Sequence, residues 1–279
     1  STGSPKGVML KHKALSNLTN YCNHYIDYLR EPENLAIVSI TTISFDIFIF
    51  ETLISLQKGL KLVIANENEH NSPTLLNKLI QNHDIKIIQS TPSRMQILLN
   101  NANKMPFLKN IDYFILAGEQ LPLHLVQELK KICNATVYNG YGPSETTVFS
   151  TLTKMNSSKI TIGRPLDNTQ IYILDNNLNP LPTGISGEIY ISGDGVGKGY
   201  LNNNELTNKS FINNPFIPNT IMYKTGDLGF YNENGEMICL GRSDHQVKLR
   251  GQRIELSEIE ETLNTLSYID NTVVVKRND

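Results

Sequence analysis

Apolar positions in the first half of the chain alternate between two textures. Short β-branched runs at 35–40, 60–65, 85–89, 113–117 and 136–138 are separated by helix-like stretches at 11–30, 48–57, 73–82 and 122–133. Brief apolar runs bounded by Gly, Pro and Asn predict strands buried on both faces, and the stretches between them predict covering helices. Together they specify a largely parallel α/β sheet. After about residue 150 the pattern changes. Runs at 171–174, 187–192, 222–225 and 236–240 follow one another across Gly-, Asn- and Pro-containing turns with few helical stretches between them, which predicts an antiparallel region. Residues 257–266 predict a short amphipathic helix opening on Ser257 with an acidic first turn, and 273–276 a last strand.

Composition narrows the function classes. A length of 279 residues suggests about two domains, and a formal net charge of −2 gives no chain-wide case for nucleic-acid binding. No apolar run approaches the ~18 residues of a membrane span. Cys22, Cys133 and Cys239 are scattered, with no CxxC spacing, so neither a disulfide framework nor a zinc site is expected; reduced thiols in a cytoplasmic protein are. The first residues carry no apolar signal segment and no initiator Met, so the sequence reads as an internal piece of something longer.

Four segments have a composition suited to a nucleotide. Ser1-Thr2-Gly3-Ser4-Pro5-Lys6-Gly7 offers hydroxyls, close-approaching backbone and one ammonium, as a loop around a polyphosphate requires; it is also an ordinary polar loop, and it is not a Walker A sequence. In Asn139–Thr147, Tyr141 offers a flat face to a base and Glu145 a hard oxygen to Mg²⁺, with a Gly-Pro turn around a buried tyrosine as the alternative. Asp227, at the end of a strand, can accept from vicinal ribose hydroxyls or simply form a turn. Residues 241–251 gather Arg242, Lys248 and Arg250 around glycines, which a solvated charged strand would also explain.

In this order and spacing the four segments resemble the core motifs of adenylate-forming enzymes, the superfamily of acyl-CoA synthetases, luciferases and the adenylation domains of nonribosomal peptide synthetases. Phe45-Asp46, Ile162-Gly163-Arg164-Pro165, Gly187-Glu188-Ile189 and Gly199-Tyr200-Leu201 extend the resemblance over essentially the whole chain. Gly142-Pro143-Ser144-Glu145-Thr146-Thr147, Asp244 in Gly-Arg-Ser-Asp, and Arg253–Glu260 follow the peptide-synthetase form. The resemblance implies parallel α/β layers, then an antiparallel barrel-like region, then the start of a small α+β subdomain, truncated at both ends. The large subdomain would span 1–243, and a hinge with the beginning of the small one 244–279.

It also implies an activity. An amino acid is activated with ATP as aminoacyl-AMP and passed to the phosphopantetheine thiol of a carrier domain, with a condensation domain as neighbour. Nucleic acid and membrane are not expected partners. An acyl- or aryl-CoA ligase of the same superfamily and a non-catalytic binding module are the alternatives. The family's C-terminal catalytic lysine lies past the last residue, so the piece alone is expected to be inactive.

By the same resemblance, Thr2, Gly3 and Lys6 belong to the phosphate loop, with Lys6 and Arg242 as the catalytic cations. Asn139, Gly140, Tyr141 and Gly142 frame adenine, Ser144 reaches the α-phosphate, Glu145 holds Mg²⁺, and Asp227 with Arg242 meets the ribose. Asp244 is the hinge, and Lys248, Arg250 and Gly251 face the pantetheine arm. Asp46 anchors the substrate ammonium, although an Asp before a helix is also a good cap. Ile47, Phe50, Gln89, Ile115, Ala117, Gly140, Val148 and Phe149 line the side-chain pocket. None of these eight is charged, Gln89 alone is polar, and Gly140 and Ala117 leave room at one wall. A neutral, mainly apolar amino acid of medium size, such as valine or phenylalanine, is the expected substrate.

Overall fold

The computed structural model describes residues 6–30, 33–100, 106–156 and 158–243, the backbone of 246–249 and 252–255, and isolated positions beyond. The first sheet is built from β2 (Ala36–Ser39), β3 (Lys61–Ile64), β4 (Ile87–Ser90), β5 (Tyr113–Ala117), β6 (Thr136–Tyr141) and β7 (Thr151–Lys154), in the order β3-β2-β4-β5-β6-β7. All neighbours are parallel except β7, which returns antiparallel to β6. Successive residues of a strand point to opposite faces, so each apolar run splits its side chains between two layers. Val38, Ile88, Phe114, Leu116 and Val137 join one core with Leu76 and Ile80 of α5 (Pro73–Asn82), Met95, Leu98 and Leu99 of α6 (Pro92–Asn100), and Leu125, Val126 and Leu129 of α7 (Leu123–Ile132). Ile37, Ile87, Ile115, Ala117 and Tyr138 join the other, under α1 (His12–Tyr21) and the helical stretch 47–57. That stretch is α2 (Ile47–Ile49) and α3 (Ser55–Gln57) joined by a π-helical turn, Phe50–Ile54.

The second sheet is antiparallel. β8 (Thr169–Leu174), β9 (Gly187–Gly193), β11 (Phe211–Asn213) and β12 (Ile221–Tyr231) run in the order β11-β12-β9-β8, and β13 (Met237–Arg242) also pairs with β12. A two-stranded ribbon joins the start of the described chain to this half: β1 (Val8–Met9) pairs antiparallel with β10 (Gly199–Tyr200), Val8 opposite Tyr200. β14 (Gln246–Leu249) and β15 (Gln252–Glu255) form a hairpin.

The expected parallel-then-antiparallel order is what the structure has, and 73–82 and 113–117 match α5 and β5 in extent. The helix expected over 11–30 is shorter. α1 ends at Tyr21 and gives way to 3-10 turns at Cys22–His24 and Asp27–Leu29, because the backbone N–H of Asp27 finds the Tyr138 hydroxyl (3.0 Å) while Ile26, Tyr28 and Leu29 sink into the core. Among the elements without a sequence expectation are α4 (Glu67–Asn71), α6, β7 and α8 (Asn204–Ser210), and the short strands β1, β10, β11, β14 and β15. α4 and α8 bury no residue and are defined by their caps, Asn66 and Asn203, so apolar periodicity cannot reveal them. The helix expected at 257–266 and the strand at 273–276 lie largely outside the described residues, as does the subdomain boundary at Asp244.

Candidate functional site

The carboxyl ends of β2, β4, β5 and β6 open on the same edge of the parallel sheet, the usual location of ligand crevices in such sheets. β6 ends in Asn139-Gly140-Tyr141, followed by Gly142-Pro143 and a tight 3-10 turn at Ser144–Thr146. The chain then doubles back through Thr147 and Val148, both left-handed with φ of 65° and 64°. Such backbone costs roughly 1–3 kcal/mol per residue, and β-branched side chains rarely adopt it. Here it is enforced: Thr147 Oγ1 donates to the Gly195 carbonyl (2.8 Å), the Thr146 and Ser150 hydroxyls lie 2.6 Å apart, and Ser150 N donates back to the Tyr141 carbonyl (2.8 Å). Gly142 is required by the close approach of these two passes, since a β-carbon on it would lie 2.6 Å from the Val148 carbonyl oxygen.

Three of the expected nucleotide residues meet. The Tyr141 hydroxyl donates to Asp227 Oδ2 (2.7 Å), and Arg242 Nη1 lies 3.5 Å from Asp227 Oδ1 while donating to the Thr225 carbonyl (2.7 Å). Burial beside Asp227 pushes the Tyr141 phenol well above its ordinary pKa, so it stays a neutral donor. Asp227 owes its aim to a bulge. The pairing of β12 with β9 slips between Lys224 and Leu228, Gly226 sits at φ 73°, and the Asp227 N–H donates to Thr225 Oγ1 (2.9 Å), while on the other side Asp227 pairs in register with Arg242 of β13. A few residues away Glu145 is buried, and its Oε1 accepts from the Tyr200 hydroxyl (2.6 Å). Gly197 N donates to the Glu145 carbonyl (2.9 Å) and Lys198 N to Met9 O (2.8 Å), so the same loop fixes both Glu145 and the strand that follows Lys6. Asn139 is spoken for: its amide donates to the Thr161 carbonyl (2.8 Å).

On the other face of β6, Ile47, Phe50, Ile115, Ala117, Val148 and Phe149 belong to one buried cluster. Asp46 precedes α2 without making any capping hydrogen bond, so the capping account of its side chain does not hold. Gly140 does not leave the room expected of it, because the Phe149 ring lies over it, 2.8 Å from where a β-carbon would be, and packs edge-to-face on Phe50 with ring centroids 5.0 Å apart. Gln89 lies between Glu51 Oε1 and Ser90 N, and the amide orientation that satisfies both is the one with its nitrogen toward Glu51 (2.9 Å) and its oxygen toward Ser90 N (3.1 Å), which takes up its polarity within the wall.

Lys6 is half-buried just ahead of β1, and Ser144 half-buried in its turn. Thr2, Gly3, Asp244, Arg250 and Gly251, and the side chain of Lys248, lie outside the described residues. Tyr200, Thr225 and Glu51 are partners to which the motifs assign no role. Glu51 had a signal, a lone carboxylate inside the apolar run 47–56; Thr225 had none, since its partners come from strand pairing. Among the described residues no group of three His, Cys, Asp or Glu side chains is placed to hold a metal, and no helix is long and apolar enough to cross a membrane.

Residues 1–201 match the family described as AMP-binding enzyme. The chain is 38% identical over 284 residues to a dimodular nonribosomal peptide synthase of Bacillus subtilis (strain 168) and 40% identical over 288 residues to tyrocidine synthase 2 of Brevibacillus parabrevis. Both alignments use all of this chain but only 12% and 8% of those proteins, so it spans a small fraction of the relatives it matches. Among solved structures, a nonribosomal peptide synthetase protein containing adenylation and carrier domains superposes with a TM-score of 0.86 at 26% identity, covering 100% of this chain and 57% of that one. A four-domain synthetase bound to AMP and glycine superposes at 0.78 with 34% identity, covering 99% and 21%. The architecture is thus the adenylate-forming α/β fold. The match runs from the first residue to Leu201, taking in the turn that carries Glu145 and the strand that carries Tyr200, and the chain belongs to the AMP-binding enzyme family.

Proposed function

We propose that this chain is the core of an amino-acid adenylating site. The substrate carboxylate attacks the α-phosphate of ATP, pyrophosphate leaves, and the aminoacyl group then passes to the phosphopantetheine thiol of a carrier domain in peptide synthesis, with a condensation domain alongside. The reading rests above all on one observation: Tyr141, Asp227 and Arg242, drawn from two different sheets, converge within hydrogen-bonding reach at the strand-end edge, with Glu145 a few residues away. Such chemistry asks the protein for position and charge stabilisation more than for covalent participation.

In this reading Asp227 accepts from the ribose hydroxyls and Arg242 neutralises charge beside it. Tyr141 and Asn139 through Gly142 border the base, Ser144 reaches the α-phosphate, and Thr2, Gly3 and Lys6 close over the outer phosphates. Glu145 suits Mg²⁺, which is commonly held by one carboxylate with phosphate oxygens completing its shell. A cytoplasmic setting suits its reduced cysteines. Residues to 243 form the large subdomain, Asp244 is the pivot, and Lys248, Arg250 and Gly251 turn toward the pantetheine arm.

Asp46 anchors the substrate ammonium, which separates this reading from an aryl-acid or acyl-CoA ligase whose substrate carries no ammonium. The pocket beside it is apolar and narrowed by Phe149 over Gly140, so within the neutral apolar class a valine-sized side chain fits better than a phenylalanine. Amino-acid-dependent ATP–pyrophosphate exchange by the full-length protein that carries this sequence is the test. Preferential exchange with valine or another small aliphatic amino acid is expected. Preference for aspartate, glutamate, lysine or ornithine overturns the pocket, and exchange driven only by aryl or fatty acids overturns the reaction class.

A further inference from the structure

Glu51 lies five positions after Asp46 and immediately after Phe50, and it is completely buried. The π-helical turn Phe50–Ile54 allows the two neighbours to serve different surroundings: Phe50 packs on Phe149, while Glu51 reaches the carboxyl ends of β2 and β4. Its carboxylate accepts from Ser39 Oγ (2.7 Å), Thr41 N (3.1 Å) and Thr41 Oγ1 (2.5 Å), and, with the Gln89 amide assigned the orientation that satisfies both of its neighbours, from the Gln89 nitrogen (2.9 Å). Arg94 lies in the same buried neighbourhood, its guanidinium donating to the Ile40 and His70 carbonyls at 3.1 and 3.0 Å and supported by the charge of Glu51. Gln89 pairs in register with Ile115 on the face that carries the pocket, where it is the one polar side chain among the lining positions. An amide buried there needs a partner, and the free energy of leaving it without one is unfavourable. Glu51 is that partner.

We propose that Glu51 is a positioning residue for amino-acid selection. By holding the Gln89 amide inside the wall, it keeps the pocket free of unsatisfied polar groups, so side chains are chosen by shape and apolar burial alone. This rests on the reading of these positions as the substrate pocket. With Glu51→Gln, the carboxylate that receives four donors becomes an amide with a single acceptor oxygen, and the Gln89 amide is released toward the substrate.

The experiment is ATP–pyrophosphate exchange by the full-length protein over a panel of apolar and polar neutral amino acids, for Glu51→Gln, Thr41→Val and the double variant Glu51→Gln/Gln89→Met. Expected for Glu51→Gln is a rise of ~10-fold or more in KM for the preferred apolar amino acid, an unchanged KM for ATP, and a relative gain for threonine, asparagine and glutamine. Thr41→Val, which removes one donor and strands no charge, is expected to shift selectivity in the same direction by less, and it decides the matter if Glu51→Gln does not fold. The double variant has no amide to release and regains the apolar preference. A double variant no more selective than the single one, or Thr41→Val with an unaltered amino-acid KM, overturns the clamp. An unaltered protein that exchanges with no amino acid overturns the functional reading, and the clamp with it.

Discussion

Asp227 shows how much can depend on one carboxylate. It receives the Tyr141 hydroxyl and stands beside Arg242, so Asp227→Asn keeps the shape and removes the charge. Loss of one charge-assisted bond costs about 1.5–3 kcal/mol, so KM for ATP is expected to rise at least ~10-fold with amino-acid preference unchanged. Glu145→Ala is expected to raise the Mg²⁺ concentration needed for half-maximal exchange. A change in which amino acid is activated, in either variant, is the outcome that contradicts these assignments. Asp46→Ala is expected to weaken amino-acid binding by roughly 3–5 kcal/mol, the cost of leaving an ammonium unpaired. A fall in melting temperature with normal amino-acid activation is the outcome that contradicts the anchoring role. Glu51 gives a pH signature. Burial raises its pKa above the ordinary carboxylate value, partly offset by the Thr41 and Ser39 bonds, so between the two values the folded state holds a proton that the unfolded chain releases. Stability contributed there falls as pH rises through that window. Urea titrations upward from the ordinary carboxylate range are expected to show the stability of the unaltered protein declining relative to that of Glu51→Gln as pH rises.

At the scale of elements, the turn after β6 is the part most sensitive to a single atom. Gly142→Ala places a methyl group 2.6 Å from the Val148 carbonyl and 2.8 Å from Phe149 Cα, both of them backbone, so the turn must open. Expected is a destabilisation of about 1–3 kcal/mol, seen in thermal melts, together with poorer use of both ATP and amino acid, since Tyr141 and Phe149 lie on the two sides of that turn. The strands of the parallel sheet were legible because their apolar runs are buried on both faces and bounded by turn residues. The antiparallel strands were legible for their turns. α6 was not: its buried residues Met95, Leu98 and Leu99 begin after a Thr-Pro-Ser sequence that reads as loop. The β12 bulge was legible only as a glycine. Tyr141, Glu145 and Asp227 stood out as residue types in a motif, whereas Tyr200 and Glu51 carry meaning through distances of 2.5 to 2.9 Å that no spacing along the chain encodes. Likewise Gly140 reads as empty space in the sequence, and only the fold lays the Phe149 ring over it.

For the whole molecule, the candidate nucleotide site is a seam. Tyr141 ends the parallel sheet, Asp227 lies in the antiparallel one, and a ligand touching both ties the two halves together. MgATP at ~100 times its Kd is expected to add about 2.7 kcal/mol of stability, a melting-temperature rise that a ~10-fold weaker Asp227→Asn cuts to about half. The ribbon of β1 and β10 extends the same logic to the order of assembly. Val8 cannot pair until Tyr200 exists, roughly 190 residues later, although it leaves the ribosome near the start of this stretch. At about 5–20 residues per second that is a wait of roughly 10–40 s. Throughout it the parallel strands can dock with their neighbours while the segment behind Lys6 has nothing to bind. Glu145 likewise waits for Tyr200, and Tyr141 waits longer still, for Asp227, so the candidate nucleotide site is completed after the candidate pocket beside it, and a nascent chain stalled before residue 199 would hold the second without the first.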